Sequence, residues 1–375
     1  MAKAFGIINT PVNTIHIDGP QDYRPIGAFS FLGRYRVIDF PLSNMSNSDI
    51  DRIQVYIREN PRSLTEHIRG VGNYNINSKR GEIKILFADS NSRNSIYNTD
   101  IAAFMENLSL IEERYEDYVV IAPSHMVFTQ NFDDLLDQHI ESGADITLLY
   151  HKVSTAKEAF LNDLTLFTNK QKGVTSIERN RGTAKERNIF METYVMKRDL
   201  FVDLIRKSIN VSSVYTLAQV VSLACSELDI RAVAHHGYFA SISDFKSYFD
   251  SNLALLDFQT AKELFPEPFE SAWPIYTAST DASPTKYING SDVKHSVVAN
   301  GCTILGTVKD SILGARVTVS EGAVIENCII CANAFIGEGV HLKNQIVDKY
   351  AKIIHVDEIV NPEEDPGYVR REDLL

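Results

Sequence analysis

The C-terminal end of the sequence places a large residue, usually aliphatic, at every sixth position, and this period limits the possible folds more than any other feature. A small residue often stands two places before it. Such a hexapeptide period is typical of a parallel β-helix, in which each coil buries its apolar face by stacking on the next coil. A sandwich of unrelated short strands, the alternative, would not hold the period. The repeated positions are Ile312, Thr318, Val324, Ile330, Ile336 and Leu342, and the small ones are Gly322, Cys328, Ala334 and Val340.

The repeat has one irregular step. Val298 and Ile304 follow the same rule earlier in the chain, but the step from Ile304 to Ile312 is eight residues, which predicts a two-residue insertion in one turn. We therefore predict a β-helix domain over residues 293–375 with one enlarged turn.

Before residue 258, predicted strands alternate with predicted helices, which favours a parallel sheet covered by helices on both faces. A polar turn at 169–173 predicts a hairpin over 163–178, and Ser243 is the expected cap of a helix that ends near Leu256. These elements form a predicted α/β domain over residues 1–257. The predicted strands are 4–8, 52–57, 82–87, 118–122, 145–151, 188–196 and 229–239, and the predicted helices are 63–69, 100–114, 132–142, 199–208 and 217–226.

Residues 258–292 are predicted to be a linker between the two domains. Prolines such as Pro274, together with Gly290, interrupt any sustained period, which indicates extended backbone. We expect Trp273 and Tyr276 to anchor this linker on the sheet domain.

Composition narrows the classes of function. The net charge of −12 and the pI near 5.3 argue against nucleic acid as a partner, because that partner requires a basic face. No stretch reaches the roughly 20 apolar residues of a membrane span, and residues 1–8 are too short for a signal peptide, so we expect a cytoplasmic chain with reduced cysteines. Cys328 and Cys331 fall inside the aliphatic repeat, and we predict that they are small core residues rather than a redox pair.

Residues 33–44 read Gly-Arg-Tyr-Arg-Val-Ile-Asp-Phe-Pro-Leu-Ser-Asn and are followed by Asn47 and Ser48. This segment resembles the motif G-K-Y-R-I-I-D-F-x-L-S-N-x-x-N-S of the ADP-glucose pyrophosphorylases, also called glucose-1-phosphate adenylyltransferases. Further matches continue in the same order to the tail at 367–375. The resemblance implies a Rossmann-like, GT-A-like nucleotidyltransferase domain followed by a left-handed parallel β-helix. It also implies the family's chemistry, in which Mg²⁺ assists adenylyl transfer from ATP to glucose 1-phosphate and diphosphate leaves.

The catalytic residues of that family are replaced in this chain. The resemblance implies a glycine-rich loop after the first strand, whose backbone N–H groups hold the triphosphate. Residues 9–16 contain no glycine, and Pro11 has no N–H to donate. The resemblance also implies a lysine shortly before Gly33, and counting back places Ile26 at that position. An aliphatic side chain cannot stabilise a developing phosphate charge.

The two aspartates that bind Mg²⁺ in the family are replaced as well. Counting from the matching segments places Ser124 at the first position and Ser241 at the second. Mg²⁺ is normally anchored by one or two carboxylates, so we expect no metal site and no bound cofactor in this chain. Asp244 lies three residues beyond Ser241, where an acidic residue is typical of a helix cap. His125 is interpreted as a strand-end histidine or as a remnant of the site.

A preserved scaffold without these groups resembles the GlgD-type second subunit of ADP-glucose pyrophosphorylase, which lacks useful activity and modifies its partner. The resemblance implies a regulatory subunit that joins the catalytic subunit in a heterotetramer, or self-associates, with Mg²⁺ bound only in the partner. By position, Arg24, Arg36 and Lys343 are candidates for binding a sugar-phosphate effector in the cleft between the domains. The simpler interpretation pairs Arg36 with Asp39 and leaves Lys343 on a solvated face.

Two other functions stay open. One is an active nucleotidyltransferase with a rearranged site, which makes ADP-glucose and diphosphate from ATP and glucose 1-phosphate. The other is a hexapeptide acyltransferase, which needs a catalytic histidine in the coils, for which His295 and His341 are candidates by type. His235 and His236 are not expected to bind one metal ion, because adjacent strand residues point to opposite faces.

Overall fold

The structure, a computed structural model, describes residues 3–11, 15–87, 99–211, 215–265, 273–278 and 282–375. The first domain combines strands and helices, as the alternating pattern predicts. Its strands are β1 (Ala4–Asn9), β2 (Ser30–Phe31), β3 (Tyr35–Arg36), β4 (Arg52–Ile57), β5 (Glu82–Phe87), β6 (Tyr118–Pro123), β7 (Met126–Phe128), β8 (Ile146–Val153), β9 (Leu164–Thr168), β10 (Val174–Arg179), β11 (Arg187–Lys197), β12 (Ile230–Ala234) and β13 (Phe239–Ser241).

Most of these strands form one mixed sheet. Strand β1 lies at its centre, parallel to β4 on one side and to β6 on the other. Strand β11 runs antiparallel to β6, β8 and β9, so the prediction of a wholly parallel sheet is wrong in this half. The reason is the connection, because the fully described segment 154–186 contains only turns and the predicted hairpin, β9–β10. Antiparallel neighbours can be joined without a crossover helix, whereas parallel ones cannot.

Helices cover both faces of this sheet. Along β6, Val119 and Ile121 face one apolar core, whereas Val120 and Ala122 face the other, as expected for alternate residues of a strand. None of the helices that the structure describes is long and apolar enough to cross a membrane. The helices are α1 (Pro20–Tyr23), α2 (Asp39–Asn47), α3 (Arg62–His67), α4 (Asp100–Glu106), α5 (Leu108–Glu112), α6 (Phe132–Ser142), α7 (Arg198–Val211), α8 (Leu217–Ala224), α9 (Phe245–Leu253) and α10 (Phe258–Leu264), with 3-10 turns at Ile26–Ala28, Val71–Tyr74 and Ala254–Leu256.

Three local predictions need correction. The Asp244 carboxylate accepts a backbone N–H hydrogen bond at 2.7 Å in the first turn of α9, so Asp244 and not Ser243 is the cap. The strand predicted over 229–239 ends with β12 and resumes as β13, because the chain turns at Gly237, whose φ is 107°. The segment predicted to begin the linker at residue 258 forms helix α10 instead.

The described part of the linker is held on the first domain. The Trp273 indole N–H donates to Asn44 Oδ1 at 2.9 Å, and the Tyr276 N–H donates to Ser43 Oγ at 2.8 Å. Both partners lie on α2, so the predicted anchoring by Trp273 and Tyr276 is confirmed. The prediction of extended backbone at 266–272 falls outside the described residues.

The second domain is a left-handed parallel β-helix made of three sheets with five strands each. It begins before the predicted boundary at residue 293. Its strands are β14 (Lys286–Tyr287), β15 (Asp292–Lys294), β16 (Val297–Val298), β17 (Thr303–Ile304), β18 (Thr307–Lys309), β19 (Ile312–Leu313), β20 (Thr318–Val319), β21 (Val324–Glu326), β22 (Ile329–Ile330), β23 (Phe335–Ile336), β24 (His341–Lys343), β25 (Gln345–Val347), β26 (Lys352–Ile353), β27 (Glu358–Val360) and β28 (Gly367–Val369).

The β-helix confirms the repeat but corrects its register. Leu313, Val319 and Ile325 fill the interior, each one residue after the position that a strict period of six predicts. From Ile330 onward the predicted positions are themselves interior. Most coils contain 17 residues, as the offset between stacked side chains shows, so a strict period of six slips once in each coil. The turn predicted to be enlarged is instead shortened, because β16 and β19 pair at an offset of 15 residues.

Polar corner residues set the length of the coils. Asp310, Asn327 and Asn344 have positive φ of 47°, 51° and 53° and stack on successive coils. The Asn327 amide donates to Asn344 Oδ1 at 2.6 Å. Asparagine and aspartate tolerate this left-handed conformation better than most residues. Cys328 and Cys331 are buried and free, as predicted.

The β-helix packs against the first domain through an apolar face. Outward-pointing isoleucines of the sheet that contains β19 and β25, such as Ile312 and Ile346, pack against Phe29. The backbones also approach closely, since a Cβ at Gly33 would lie 2.6 Å from the Leu313 carbonyl oxygen. Gly33 also has a φ of 67°. Both the close approach of the two backbones and this left-handed conformation favour glycine at this position.

Candidate functional site

A pocket lies where β1, β4 and β6 end, at the carboxyl edge of the parallel strands, where ligands of α/β sheets usually bind. The Arg58 guanidinium donates to Asn9 Oδ1 at 3.1 Å and to the Thr10 carbonyl oxygen at 3.0 Å. The Ser124 N–H donates to the Asn9 carbonyl oxygen at 2.8 Å. These contacts join the ends of the three strands. Residues 12–14 of the segment that replaces the glycine-rich loop lie outside the described residues.

The cavity at this edge is small. It measures about 210 Å³, whereas pockets that bind small molecules usually measure roughly 300–1,000 Å³. Pro11 and Ile15 line it beside Arg58, so apolar side chains stand where a triphosphate needs backbone N–H groups. The described part of the lining also includes polar side chains, such as Gln21 and Arg58, but it contains no glycine-rich loop.

Ile26 occupies the position where the resemblance implies a lysine. It lies in a 3-10 turn and is 2% exposed. Its side chain belongs to the apolar cluster between the two domains, which also contains Phe29 and Ile312. A charged group in this cluster would be costly without a partner. Residue 26 is therefore part of the apolar core between the two domains.

The short antiparallel pair β7–β13 brings Ser124 and Ser241 close together. Ser241 pairs with Met126, and the Ile242 N–H donates to the His125 carbonyl oxygen at 3.0 Å. The two serines are 0% and 3% exposed. The Ser124 hydroxyl has no hydrogen-bond partner among the described residues, whereas the Ser241 hydroxyl is directed at the Asp163 carboxyl. Two hydroxyls supply no anionic ligand, so these positions do not fit a Mg²⁺ ion.

The sequence analysis missed two carboxyl groups in this region: Asp163, which is buried, and Glu192, whose side chain is a quarter exposed. Burial raises the pKa of Asp163 to about 7, against a smaller lowering effect of the Ser241 hydroxyl. Burial raises the pKa of Glu192 to about 8, with further contributions from the carboxyls of Asp163 and Asp100. Glu192 is therefore mostly protonated near neutral pH. A sequence signal existed, since Glu192 is the one charged residue in the run 188–196.

The imidazole of His125 faces the Glu192 carboxyl. It is fully buried, and its Nε2 lies 3.7 Å from Glu192 Oε1. Neither ring nitrogen has a hydrogen-bond partner among the described residues. Burial lowers the pKa of His125 to about 3. The ring is therefore neutral and forms no ion pair with Glu192.

The adjacent histidines of the sheet point in different directions. His235 is buried, with its Nδ1 3.1 Å from the Nδ1 of His151, whereas His236 is exposed. Burial lowers the pKa of His235 to about 4. Within the residues that the structure describes, no three His, Cys, Asp or Glu side chains are grouped to hold a metal ion.

A second site, here called the cleft cluster, lies between the two domains. Arg24 is buried and donates to Asp348 Oδ1 at 2.5 Å. The Tyr368 hydroxyl donates to Asp348 Oδ2 at 2.6 Å. The Arg36 guanidinium donates to the Ser63 carbonyl oxygen at 2.7 Å. Arg24 from the first domain thus meets a carboxylate from the β-helix.

Lys349 completes the cleft cluster. Burial lowers the pKa of Lys349 to about 8, and the charges of Arg36 and Arg24 lower it further. Burial also lowers the pKa of Arg36, and Arg24 adds to this effect. The Asp348, Asp39 and Glu66 carboxylates oppose these three cations. Three cationic groups thus gather between the domains, each with a carboxylate nearby.

The structure corrects the predicted placement of Lys343. Counting along the sequence selected Lys343 as the cation that the β-helix contributes to this cleft. The structure places it exposed on the outer face of β24, in register with Glu326, whereas the sheet that packs on the first domain contains β25. Lys349 follows β25 and lies within the electrostatic reach of Arg24 and Arg36. Because Lys343 and Lys349 are six positions apart, their side chains lie on different faces of the three-sheet β-helix.

The two histidines considered for an acyltransferase site do not meet. His295 lies at a corner after β15 and His341 lies on β24, on different coils. Each contacts an acidic side chain, Asp310 at 2.6 Å and Glu358 at 3.2 Å. Neither arrangement marks a catalytic base.

Comparison with known proteins agrees with this architecture. Residues 24–160 match the nucleotidyl transferase family, and residues 283–372 match the C-terminal hexapeptide region of GlmU-like proteins. The glycogen biosynthesis protein GlgD of Bacillus subtilis is 30% identical over 371 residues, which cover 98% of this chain and 96% of that protein. The chain belongs to the family of GlgD and glucose-1-phosphate adenylyltransferase.

Other members of this family show the same similarity. The GlgD protein of Geobacillus stearothermophilus is 30% identical over 86% of this chain and 83% of its own length. The glucose-1-phosphate adenylyltransferase of Acetivibrio thermocellus is 28% identical over 86% of this chain and 75% of its own length. The predicted family and the predicted fold class are thus confirmed.

Proposed function

We propose that this chain is a regulatory, largely non-catalytic subunit of glucose-1-phosphate adenylyltransferase in glycogen biosynthesis. It assembles with the catalytic subunit in the cytoplasm, in a heterotetramer, and alters the activity and effector response of that subunit. One observation carries the proposal: Ser124 and Ser241, at the positions where the resemblance implies metal-binding aspartates, are buried and uncharged. The similarity to a GlgD protein over nearly the whole chain supports it.

The chemistry of adenylyl transfer explains why these positions matter. The reaction requires positive charge and hydrogen-bond donors that are placed around the phosphates in advance. In this pocket the Arg58 guanidinium is already engaged with Asn9 and Thr10, and Ile26 contributes no charge. Mg²⁺, where it is bound, neutralises the phosphates and orients them. Here the two serines provide it with no anionic ligand.

The alternative, an active nucleotidyltransferase with a rearranged site, needs other carboxylates. Asp163 and Glu192 are the nearest candidates. In the metal-free chain their pKa values are raised to about 7 and about 8, so binding of Mg²⁺ to these groups near neutral pH would release protons.

The activity of the purified chain tests this choice. We expect no diphosphate-dependent formation of ATP from ADP-glucose above background with excess Mg²⁺, because the phosphate-binding and metal-binding groups are absent. A catalytic subunit in the same assay provides the positive control. Turnover within tenfold of that control would favour the alternative.

Mixing with the catalytic subunit tests the regulatory role. We expect the two chains to elute together at the mass of a tetramer and the kinetic constants of the catalytic subunit to change on mixing. The physical reason is that a partner alters activity by stabilising one conformation over another. Separate elution together with unchanged kinetics would contradict the proposal.

The cleft cluster is the proposed effector site. Arg24, Arg36 and Lys349 come from both domains and place three cationic groups within reach of one another. Phosphate groups form strong charge-assisted hydrogen bonds with such side chains. A sugar phosphate bound here would touch both domains, so it would favour one arrangement of the domains over others.

Substituting Lys349 by methionine is expected to weaken the effector response at least about tenfold, because a charge-assisted contact is lost. The measurement is the effector concentration for half-maximal response of the mixed complex. Lys343→Met is the matched control and should leave this concentration unchanged. Since the pKa of Lys349 is about 8, effector binding by the unsubstituted chain should weaken as the pH rises from 7 to 9. Equal effects of the two substitutions would contradict the assignment.

A further inference from the structure

The opposite edge of the sheet, where the parallel strands begin, carries a second cavity, here called the amino-edge groove. It measures about 450 Å³, which falls within the roughly 300–1,000 Å³ of small-molecule sites. Three segments line it, namely the start of β4, residues 79–84 around the start of β5, and residues 113–115 after α5. Its cationic side chains are Arg52, Lys79, Arg80, Lys84 and Arg114.

The amino-edge groove is separate from the two sites described above. Arg52 begins β4 and lines the groove, whereas Arg58 follows the end of β4 and lines the pocket at the carboxyl edge. A strand of this length spans roughly 20 Å. No residue of the cleft cluster is among the described residues that line the groove. A ligand in the groove would therefore contact neither of the other sites.

Two of the five cations are held by carboxylates. Arg114 donates to Glu82 Oε1 at 2.5 Å, and Arg52 donates to Glu116 Oε1 at 3.1 Å. The Arg52 guanidinium carbon also lies 4.3 Å from the centre of the Tyr115 ring, a distance at which the cation and the ring attract each other. These contacts order the walls of the groove.

The other three cations have side chains that are available to a ligand. Lys79, Arg80 and Lys84 form no side-chain hydrogen bond or ion pair with any described residue. Two further carboxylates lie nearby: Glu113 also lines the groove, and Asp51 lies within the electrostatic reach of Arg80. Neither forms an ion pair with these three cations. An anion in the groove would thus meet three cationic groups that can still donate hydrogen bonds.

A tight turn fixes the backbone of two of these cations. The Asn77 carbonyl oxygen accepts from the N–H groups of Arg80 and Gly81 at 3.0 Å and 2.8 Å. The Asn77 Oδ1 accepts from the Lys79 N–H at 3.0 Å. A Cβ at Gly81 would lie 2.6 Å from the Asp51 carbonyl oxygen, so glycine lets the turn pack closely on the chain before β4. A backbone that is ordered in advance lowers the entropic cost of binding.

We propose that the amino-edge groove binds a small anion with two or more linked phosphate groups. Phosphate oxygens form strong charge-assisted hydrogen bonds with lysine and arginine. Lys79 and Arg80 lie on the turn and Lys84 lies on β5, and linked phosphates can reach both segments at once. A long polyanion fits less well, because it would also meet the surface of a chain whose net charge is −12. This inference goes beyond the proposed function and does not depend on it.

Calorimetry with inorganic diphosphate on the full chain tests the proposal. All chains carry Lys349→Met, which weakens binding at the cleft cluster. The test variant is Arg80→Gln with Lys84→Gln, which removes one cation from each segment and leaves the ion pairs of Arg52 and Arg114 in place. The matched control is Lys170→Gln with Lys286→Gln, which removes the same charge at two exposed positions outside the groove.

We expect the test variant to bind diphosphate at least tenfold more weakly, because two charge-assisted contacts are lost. The control should stay within threefold of the chain without these substitutions. Lys79→Gln, which changes only an exposed side chain, is an independent variant and should weaken binding at least threefold. Orthophosphate should bind at least tenfold more weakly than diphosphate. The affinity for diphosphate should fall as the ionic strength rises.

Thermal unfolding shows whether the variants fold. Without ligand, the test variant and the control should melt at the same temperature, and diphosphate should raise the melting temperature of the control only. Three results would overturn the proposal: no binding of diphosphate, equal weakening by the test variant and the control, or orthophosphate that binds as tightly as diphosphate. Mixing with the catalytic subunit tests the proposed function separately, since it does not involve these variants.

Discussion

Replacing Asp348 by alanine is expected to lower the free energy of unfolding by about 3–5 kcal/mol, because the buried Arg24 guanidinium then loses its ionic partner. The side chain of Asp348 is 0% exposed and that of Arg24 is 7% exposed, so water cannot easily replace the lost carboxylate. The Tyr368 hydroxyl loses its acceptor in the same change. The substitution therefore weakens the contact between the two domains.

Denaturant unfolding measures this effect. Because the chain has two domains, its unfolding need not be a single transition, and circular dichroism should be followed together with the fluorescence of Trp273. Glu66→Ala, which breaks the exposed ion pair with Arg62, is the control and should unfold like the unsubstituted chain. An Asp348→Ala variant that unfolds at the same denaturant concentration as this control would show that the buried pair contributes nothing.

Replacing Ile26 by lysine is expected to lower the free energy of unfolding by about 3 kcal/mol, since it places an ammonium group in an apolar cluster. Ile26 is 2% exposed and packs between the domains with Phe29 and Ile312. The substitution puts back the lysine that the resemblance implies, yet we expect no adenylyl transfer. The serines at 124 and 241 still provide no metal ligand.

Thermal or denaturant unfolding and the diphosphate assay together test this prediction. Ile26→Met keeps the apolar character and roughly the volume, and should cost less than about 1.5 kcal/mol. Under the proposed function the lysine variant is less stable and inactive. A stable Ile26→Lys variant that forms ATP from ADP-glucose would contradict both parts.

The interface between the domains links these predictions to regulation. Arg24 and Arg36 belong to the first domain, whereas Asp348 and Lys349 belong to the β-helix. An anion bound among them alters the balance of charge that holds the domains together, and it acts on activity only if it binds one domain arrangement better than another. The proposed effector response thus depends on the same contacts that stabilise the chain.

Much of the architecture follows from local sequence patterns. The hexapeptide period predicts the β-helix because each coil buries one residue per side, and this regularity is present in neighbouring residues. The strands of the first domain are predictable for the same reason, because burial on alternate faces depends on local spacing. The exchanged positions Ile26, Ser124 and Ser241 follow from motif spacing alone.

The register of the β-helix could not be predicted from the sequence alone. The strict period places Ile312 in the interior, whereas Leu313 is the residue inside the coil and Ile312 faces the first domain. Both are aliphatic, so composition does not separate them. Only the pairing of strands on successive coils, set by corner residues such as Asn327, decides which one points inward.

What the sequence by itself determined is which residue types each segment carries, and hence the α/β domain followed by a β-helix and the family to which the chain belongs. Tertiary structure alone decided which distant residues meet: Arg24 contacts Asp348 across 324 positions of the chain, Lys349 rather than Lys343 lies near Arg24 and Arg36, and Glu192 lies beside His125. The physical reason is that periodicity encodes the side of an element on which a residue lies, whereas a contact also requires the packing of complete elements against each other.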